Sequence, residues 1–120
     1  MYVDAFVAPV KTARKDDYIA KARAGCAVFL ENGATSWTEN WADDVSEGKV
    51  TSFPRAVQLQ DDETVVFSWI TYPDRATRDA CMKAAMQDPR MQAMMDDMPM
   101  DGKRMFMGGF ETIVQSGEDD

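Results

Sequence analysis

An α+β fold of the ferredoxin-like type is predicted: βαββαβ, a four-stranded antiparallel sheet with both helices on one face. Three observations predict it. Four β-rich segments fall at residues 2–10, 34–43, 65–72 and 104–114. Between the first two the apolar period lengthens to that of a helix, and between the last two Asp74 and Asp88-Pro89 open helical stretches. Asn-Gly, Pro-Asp and Asp-Pro dipeptides punctuate the joins. A chain of 120 residues holds one domain, expected over residues 1–114, with a polar, acidic tail at 115–120.

Each element has its reason. In residues 2–10, Val3, Ala5 and Val7 share one face and Tyr2, Asp4 and Phe6 the other, and both faces carry apolar groups. From 14 to 31, Tyr18, Ala22, Cys26 and Phe29, joined by Ile19 and Leu30, form a helical stripe. Gly33 suits the left-handed position that closes such a helix. Thr35, Trp37, Glu39, Trp41 and Asp43 then alternate along the second strand. Residues 44–62 are less regular, with a short strand expected at 56–59. VVFSWITY (65–72) is the strongest strand signal, nearly unbroken β-branched and aromatic residues. Asp74 caps a helix to about residue 87, and Asp88-Pro89 opens a short one to about residue 97. The last strand is expected at 104–114, with Gly108-Gly109 marking a bulge.

Composition excludes several classes of function. With 13 basic and 21 acidic side chains the net charge is −8, which opposes nucleic-acid binding through phosphate neutralisation. The absence of histidine removes His-ligated zinc, His-ligated haem, the Ser-His-Asp triad and Cys-His proteases. Cys26 and Cys81 are expected as small buried hydrophobes in a reducing compartment. No membrane span or leader pattern is visible, and the cytoplasm is the expected location. No cofactor is expected.

Two helices cover one face of a sheet whose strands are apolar on both. Phe67 and Trp69 alternate with Val66 and Ile70, and Phe106 and Phe110 with Met105 and Met107. A second face of that kind must be covered, and a second copy in a two-fold dimer is the simplest cover. Four stretches, WADDVSEGKVTSFPRAV, ETVVFSWITYPD, DPRM and MPMDGKRMFMGGF, stand within a span from YVDAFVAPV at residue 2 to GGFE ending at Glu111. Over that span the sequence resembles the YbaA-like family of uncharacterised bacterial proteins. The resemblance implies the dimeric α+β barrel superfamily: a homodimer whose sheets face each other around a cavity. It transfers no catalytic residue.

Four constellations carry possible chemistry. Asp4, Glu39, Ser68 and Arg104 are polar positions on apolar strands. Facing the dimer cavity among Phe6, Trp37, Trp41 and Trp69, a carboxylate would serve as acid or base and Arg104 would hold an anion. The plainer reading of the same residues is structural ion pairing. Lys49 and Arg55, with Lys103 and Arg104, mark either an anion pocket or pairing with Asp43, Asp44 and Glu47. Nine of the ten methionines lie between Met82 and Met107, and their thioethers suit Cu(I), adaptable packing or a cavity lid. The acidic pairs, such as Asp43-Asp44 and Asp61-Asp62, lack calcium-loop spacing and read as solvated turns.

The expected function is therefore a homodimer binding a small, mostly apolar organic molecule between its sheets, with cofactor-independent catalysis as an extension. Asp4, Glu39 and Arg104 are the candidate acid/base and anchoring residues. Phe6, Trp37, Trp41, Phe67, Trp69, Lys49 and Arg55 are the candidate ligand contacts. The competing reading is a non-catalytic dimer whose sheet interface is simply filled; RNA recognition ranks last on charge.

Overall fold

In the computed structural model, which describes residues 1–117, the elements alternate as the periodicity requires; residues 118–120 of the expected tail lie outside the described residues. β1 (Tyr2–Lys11), a 3-10 turn (Thr12–Arg14), α1 (Lys15–Glu31) and β2 (Ser36–Trp41) make the first half. A helical turn, α2 (Phe53–Ala56), precedes β3 (Glu63–Tyr72), α3 (Arg75–Met86), α4 (Pro89–Met95) and β4 (Phe106–Glu111). The strands form one antiparallel sheet in the order β2-β3-β1-β4, the interleaved arrangement of the ferredoxin-like fold. No helix among the described residues is long and apolar enough to cross a membrane.

The helix boundaries follow local chemistry. Asp16 and Asp17 sit in the first turn of α1, where the dipole favours negative charge. Its last turn closes as Asn32 Nδ2 donates to the Val28 carbonyl at 2.8 Å, with Gly33 at φ 112°. Asp74 and Asp88 both act as N-caps, accepting from Thr77 N and Arg90 N at 2.8 Å each.

Register assigns the faces. β1 pairs β3 with Phe6 opposite Ser68, and β2 pairs β3 with Glu39 opposite Ser68. Asp4, Phe6, Trp37, Glu39, Trp41, Ser68 and Ile70 therefore share the face beneath the helices. Val3, Ala5, Val7, Phe67, Trp69, Phe106 and Phe110 share the outer face. The main core fills the helix side, where Val28 and Phe29 of α1 meet Ile70, Tyr72, Cys81, Ala85 and Met91. On the outer side, Val57, Leu59 and Ala42 cover only Val7 and Val65. Phe67, Phe106 and Phe110 remain 39%, 47% and 60% exposed.

Four expectations need correction. The strand expected at 56–59 is instead the helical turn α2 and its exit. Pro54 opens that turn and Ser52 caps it, its side chain accepting from Arg55 N at 3.1 Å. β4 is shorter than 104–114. Residues 101–105 form a turn held by Asp101, and beyond Glu111 no residue of β1 is left to pair. The α1 stripe uses Gly25 and Val28, while Ile19 and Leu30 are exposed and Cys26 is half-buried. Gly108-Gly109 is no bulge, because β1 and β4 pair one-to-one through it. A Cβ on Gly109 would stand 2.6 Å from Arg78 Nη2 and also strike the Tyr2 hydroxyl, so the residue is small for close approach.

Candidate functional site

Between the helix face of the sheet and the segment formed by α4 and the chain after it lies a cavity of about 480 Å³. Its floor is Phe6, Trp37, Glu39 and Ile70; Tyr18, Ala22 and Phe29 of α1 form a wall. All nine methionines between Met82 and Met107 line it. Such a wall is soft, because thioether side chains are unbranched, polarisable and adaptable. The size falls within the usual range of small-molecule sites.

Glu39 is the polar group of the floor. Tyr18 Oη and Ser68 Oγ donate to its Oε1 at 2.7 and 2.6 Å, and Trp37 Nε1 donates to Oε2 at 2.7 Å. β2 presents it and β3 supplies Ser68 directly across the ladder. No Lys or Arg among the described residues lies within ion-pairing distance of it. Burial, then the charge of Glu39, pushes the Tyr18 phenol well above its ordinary value. The same two causes, in that order, raise the Cys26 thiol. Neither side chain is an activated nucleophile.

The α4 wall is tied to α1 by charge. Arg14 reaches Asp97 Oδ2 at 3.1 Å and its carbonyl at 3.0 Å, and also pairs with Asp17. Arg90 grips Glu31 through two bonds of 2.8 and 2.9 Å. Lys21 Nζ donates to the Asp96 carbonyl at 3.2 Å.

The other predicted site residues are scattered. Asp4 is fully buried on the helix face but outside the cavity. Arg78 Nε lies 3.1 Å from both of its carboxylate oxygens, Nη2 lies 3.0 Å from Oδ1, and Tyr72 Oη donates to Oδ2 at 2.9 Å. This is the structural ion pair of the plainer reading. Arg104 stands in the turn before β4 rather than on a strand. It grips Glu63 at 2.6 and 2.7 Å, Asp101 at 2.8 Å and the Gln58 carbonyl at 3.1 Å, leaving little for an anion. Arg55 donates to the Glu47 carbonyl at 2.7 Å, so its head is tied to its own loop, and Lys49 is exposed; neither lines the cavity. Trp41 packs beside the Tyr18 and Val66 cluster under Lys15, 5.1 Å above its ring. Phe67 and Trp69 lie on the opposite face, in ring contact at 5.5 Å. Of the candidate set, Glu39, Trp37 and Phe6 come together. The carboxylate expected among aromatics is present, but beneath the helices and not on the outer face.

Tyr18 was legible only as part of a helical stripe, and nothing in its spacing tied its hydroxyl to Glu39. Arg78 and Glu63 were missed altogether. A buried acid demands a partner, and Arg78 on the apolar side of α3 was the available signal for Asp4. Among the described residues no group of three or more His, Cys, Asp or Glu is assembled to hold a metal ion.

A ferredoxin-like α+β fold with an apolar cavity within the single chain is thus defined. Solved structures share the fold. An uncharacterized NIPSNAP domain protein from Burkholderia xenovorans superimposes with a TM-score of 0.61 at 14% identity, covering 98% of this chain and 100% of that one. A dimeric ferredoxin-like protein from an uncultured marine organism gives 0.59 at 10% identity, covering 96% and 98%. The chain belongs to the family described as "Protein of unknown function (DUF1428)", matched over residues 1–102. It is 49% identical over 113 residues to the "Uncharacterized protein YbaA" of Escherichia coli K12, spanning 94% of this chain and 97% of that protein.

Proposed function

We propose that this protein binds a small, mostly apolar organic molecule in the cavity between the sheet and α4, as a homodimer formed through the outer face. The observation that carries the binding reading is the cavity of about 480 Å³ walled by nine methionines and holding the Glu39 carboxylate. A filled core would have no such space beside a charged side chain turned inward. Binding is favoured over catalysis because the Tyr18 phenol and Cys26 thiol beside the carboxylate both hold their protons more tightly than usual. The site differs from one between two sheets: Glu39, Trp37 and Phe6 serve it from within one protomer. The outer face has a separate role, because Phe67, Phe106 and Phe110 leave an apolar patch that a second copy would bury. That the similarly folded ferredoxin-like protein from an uncultured marine organism is dimeric supports a second copy as the cover.

Two measurements test the reading. Titration with N-phenyl-1-naphthylamine, a neutral apolar fluorophore, should quench Trp37 and enhance the dye with one site per protomer. Absence of saturable binding overturns the cavity reading. Native mass spectrometry should show a dimer that Phe110→Glu converts to monomer, and a wild-type monomer overturns the outer-face interface.

A further inference from the structure

We infer that the occupant of this cavity is a cation, specifically a hydrophobic amine carried as its ammonium form; this rests on the cavity-binding reading. The lining contains no Lys or Arg, and of its two carboxylates only Asp97 has a basic partner, Arg14. Glu39 is met by three neutral donors and by no counter-charge. Oε1 accepts two of those bonds and Oε2 only one, from Trp37. A carboxylate oxygen has room for about two acceptor bonds, so Oε2 has capacity for one further donor.

The choice of charge follows from what each occupant would do to that oxygen. A hydrocarbon displaces water and leaves the remaining lone pair of a charged group unmet, which is costly. An alcohol returns one hydrogen bond. An ammonium returns the bond and the missing positive charge, forming a charge-assisted pair where screening by water is weak. A carboxylate ligand meets like charge with nothing basic to offset it. The walls suit the same choice: the rings of Phe6, Phe29 and Trp37 offer π faces to a cation, and the thioethers accommodate an aliphatic tail of varied shape. Phe6 and Phe29 both stand edge-on to Trp37, with ring centroids 6.3 and 4.9 Å from it, so the three form a continuous aromatic corner beside Glu39. The net charge of −8 also draws cations toward the protein.

The test uses three ligands of equal tail and different head: decylammonium, decanol and decanoate, each displacing N-phenyl-1-naphthylamine from the full-length protein at pH 7. The expected order is ammonium, alcohol, carboxylate, with the ammonium at least about tenfold tighter than the alcohol, which corresponds to about 1.4 kcal/mol. The preference should persist in 0.5 M NaCl, since salt screens surface attraction but not a buried pair. Glu39→Gln should bring ammonium and alcohol to within about twofold of each other. If ammonium and alcohol displace the dye equally from the wild type, the inference fails and the cavity reading stands. If no ligand displaces it and the dye itself does not bind, the cavity reading fails first. The wild-type ratio needs no variant, so a poorly folding Glu39→Gln does not protect the idea.

Discussion

Asp4 and Glu39 occupy the same face of the same sheet, each on a strand of apolar neighbours, and their fates differ completely. Asp4 is closed off: Arg78 and Tyr72 take both its oxygens, and Tyr2 and Gly109 complete the enclosure. The Arg78 guanidinium also lies 5.1 Å from the Tyr2 ring centroid. Glu39 has donors but no cation, and it opens onto a cavity whose walls are methionine. The difference is made by the helices above. α3 brings an arginine over Asp4, whereas α1 brings only a tyrosine over Glu39. A buried carboxylate with its own cation is part of the architecture; one given only neutral donors retains capacity for a ligand.

The comparison breaks most easily at its rigid end. Arg78→Met should lower stability by about 3–5 kcal/mol in urea denaturation, since it strands a buried charge. Glu39→Gln should cost only about 1 kcal/mol, because the amide can still bond the three neutral partners and leaves no charge stranded. Equal costs would mean that Glu39 is as structural as Asp4 and that the contrast is false.

A third carboxylate extends the comparison to pH. The Arg104 guanidinium, with help from the Gln60 amide, holds the Glu63 carboxyl below its ordinary 4.5. A depressed folded value adds stability that is complete above the ordinary pKa and is lost as pH falls through the lower folded one. Glu63→Gln should therefore be less stable than wild type by about 1.5–3 kcal/mol at pH 7. The gap should close below pH 4.5, the ordinary value of the group. A gap that stays constant from pH 7 to pH 3 would remove Glu63 from the class to which Asp4 belongs.

Much of this was legible in the sequence. The succession of elements, the Asp74 and Asp88 caps and the Gly33 stop follow from local chemistry that tertiary contacts did not override. The face of each strand was harder. The alternation of Tyr2, Asp4 and Phe6 against Val3, Ala5 and Val7 is plain, but which set meets the helices is not, since both are largely apolar. β2 held the missing clue. Ser36, Thr38 and Asn40 alternate with Trp37, Glu39 and Trp41, so only the second set can supply a core. Partners were the least legible part. Asp4 and Arg78 are 74 positions apart, and Glu39 and Ser68 are 29 apart, so only folded register joins them. The methionine run looked like packing or a lid. That it lines one cavity depends on α4 folding back against α1, which Gly25 allows: a Cβ there would stand 2.7 Å from Met94 Sδ.

That glycine and Gly109 supply the finest test, one against the Trp37 ring that serves Glu39 and one against the Arg78 guanidinium that holds Asp4. Gly109→Ala drives a methyl into the Arg78 guanidinium and the Tyr2 hydroxyl, both fixed by Asp4 or its surroundings, and overpacking of that kind costs about 1–3 kcal/mol. Gly25→Ala meets Met94 Sδ at 2.7 Å and the Trp37 ring at 3.3 Å, but a thioether can turn aside into open space. Alanine also raises helix propensity in α1 by about 1 kcal/mol, which offsets the residual crowding. The net change in stability should therefore lie within about 0.5 kcal/mol of zero. Its effect should appear instead in the cavity, where the displaced Met94 takes up ligand space and weakens N-phenyl-1-naphthylamine binding several-fold. Paired urea denaturation and dye titration separate the two outcomes. If Gly25→Ala destabilises as strongly as Gly109→Ala and leaves dye affinity unchanged, the methionine wall is a rigid core, and the distinction between the closed and open ends of this sheet face is lost.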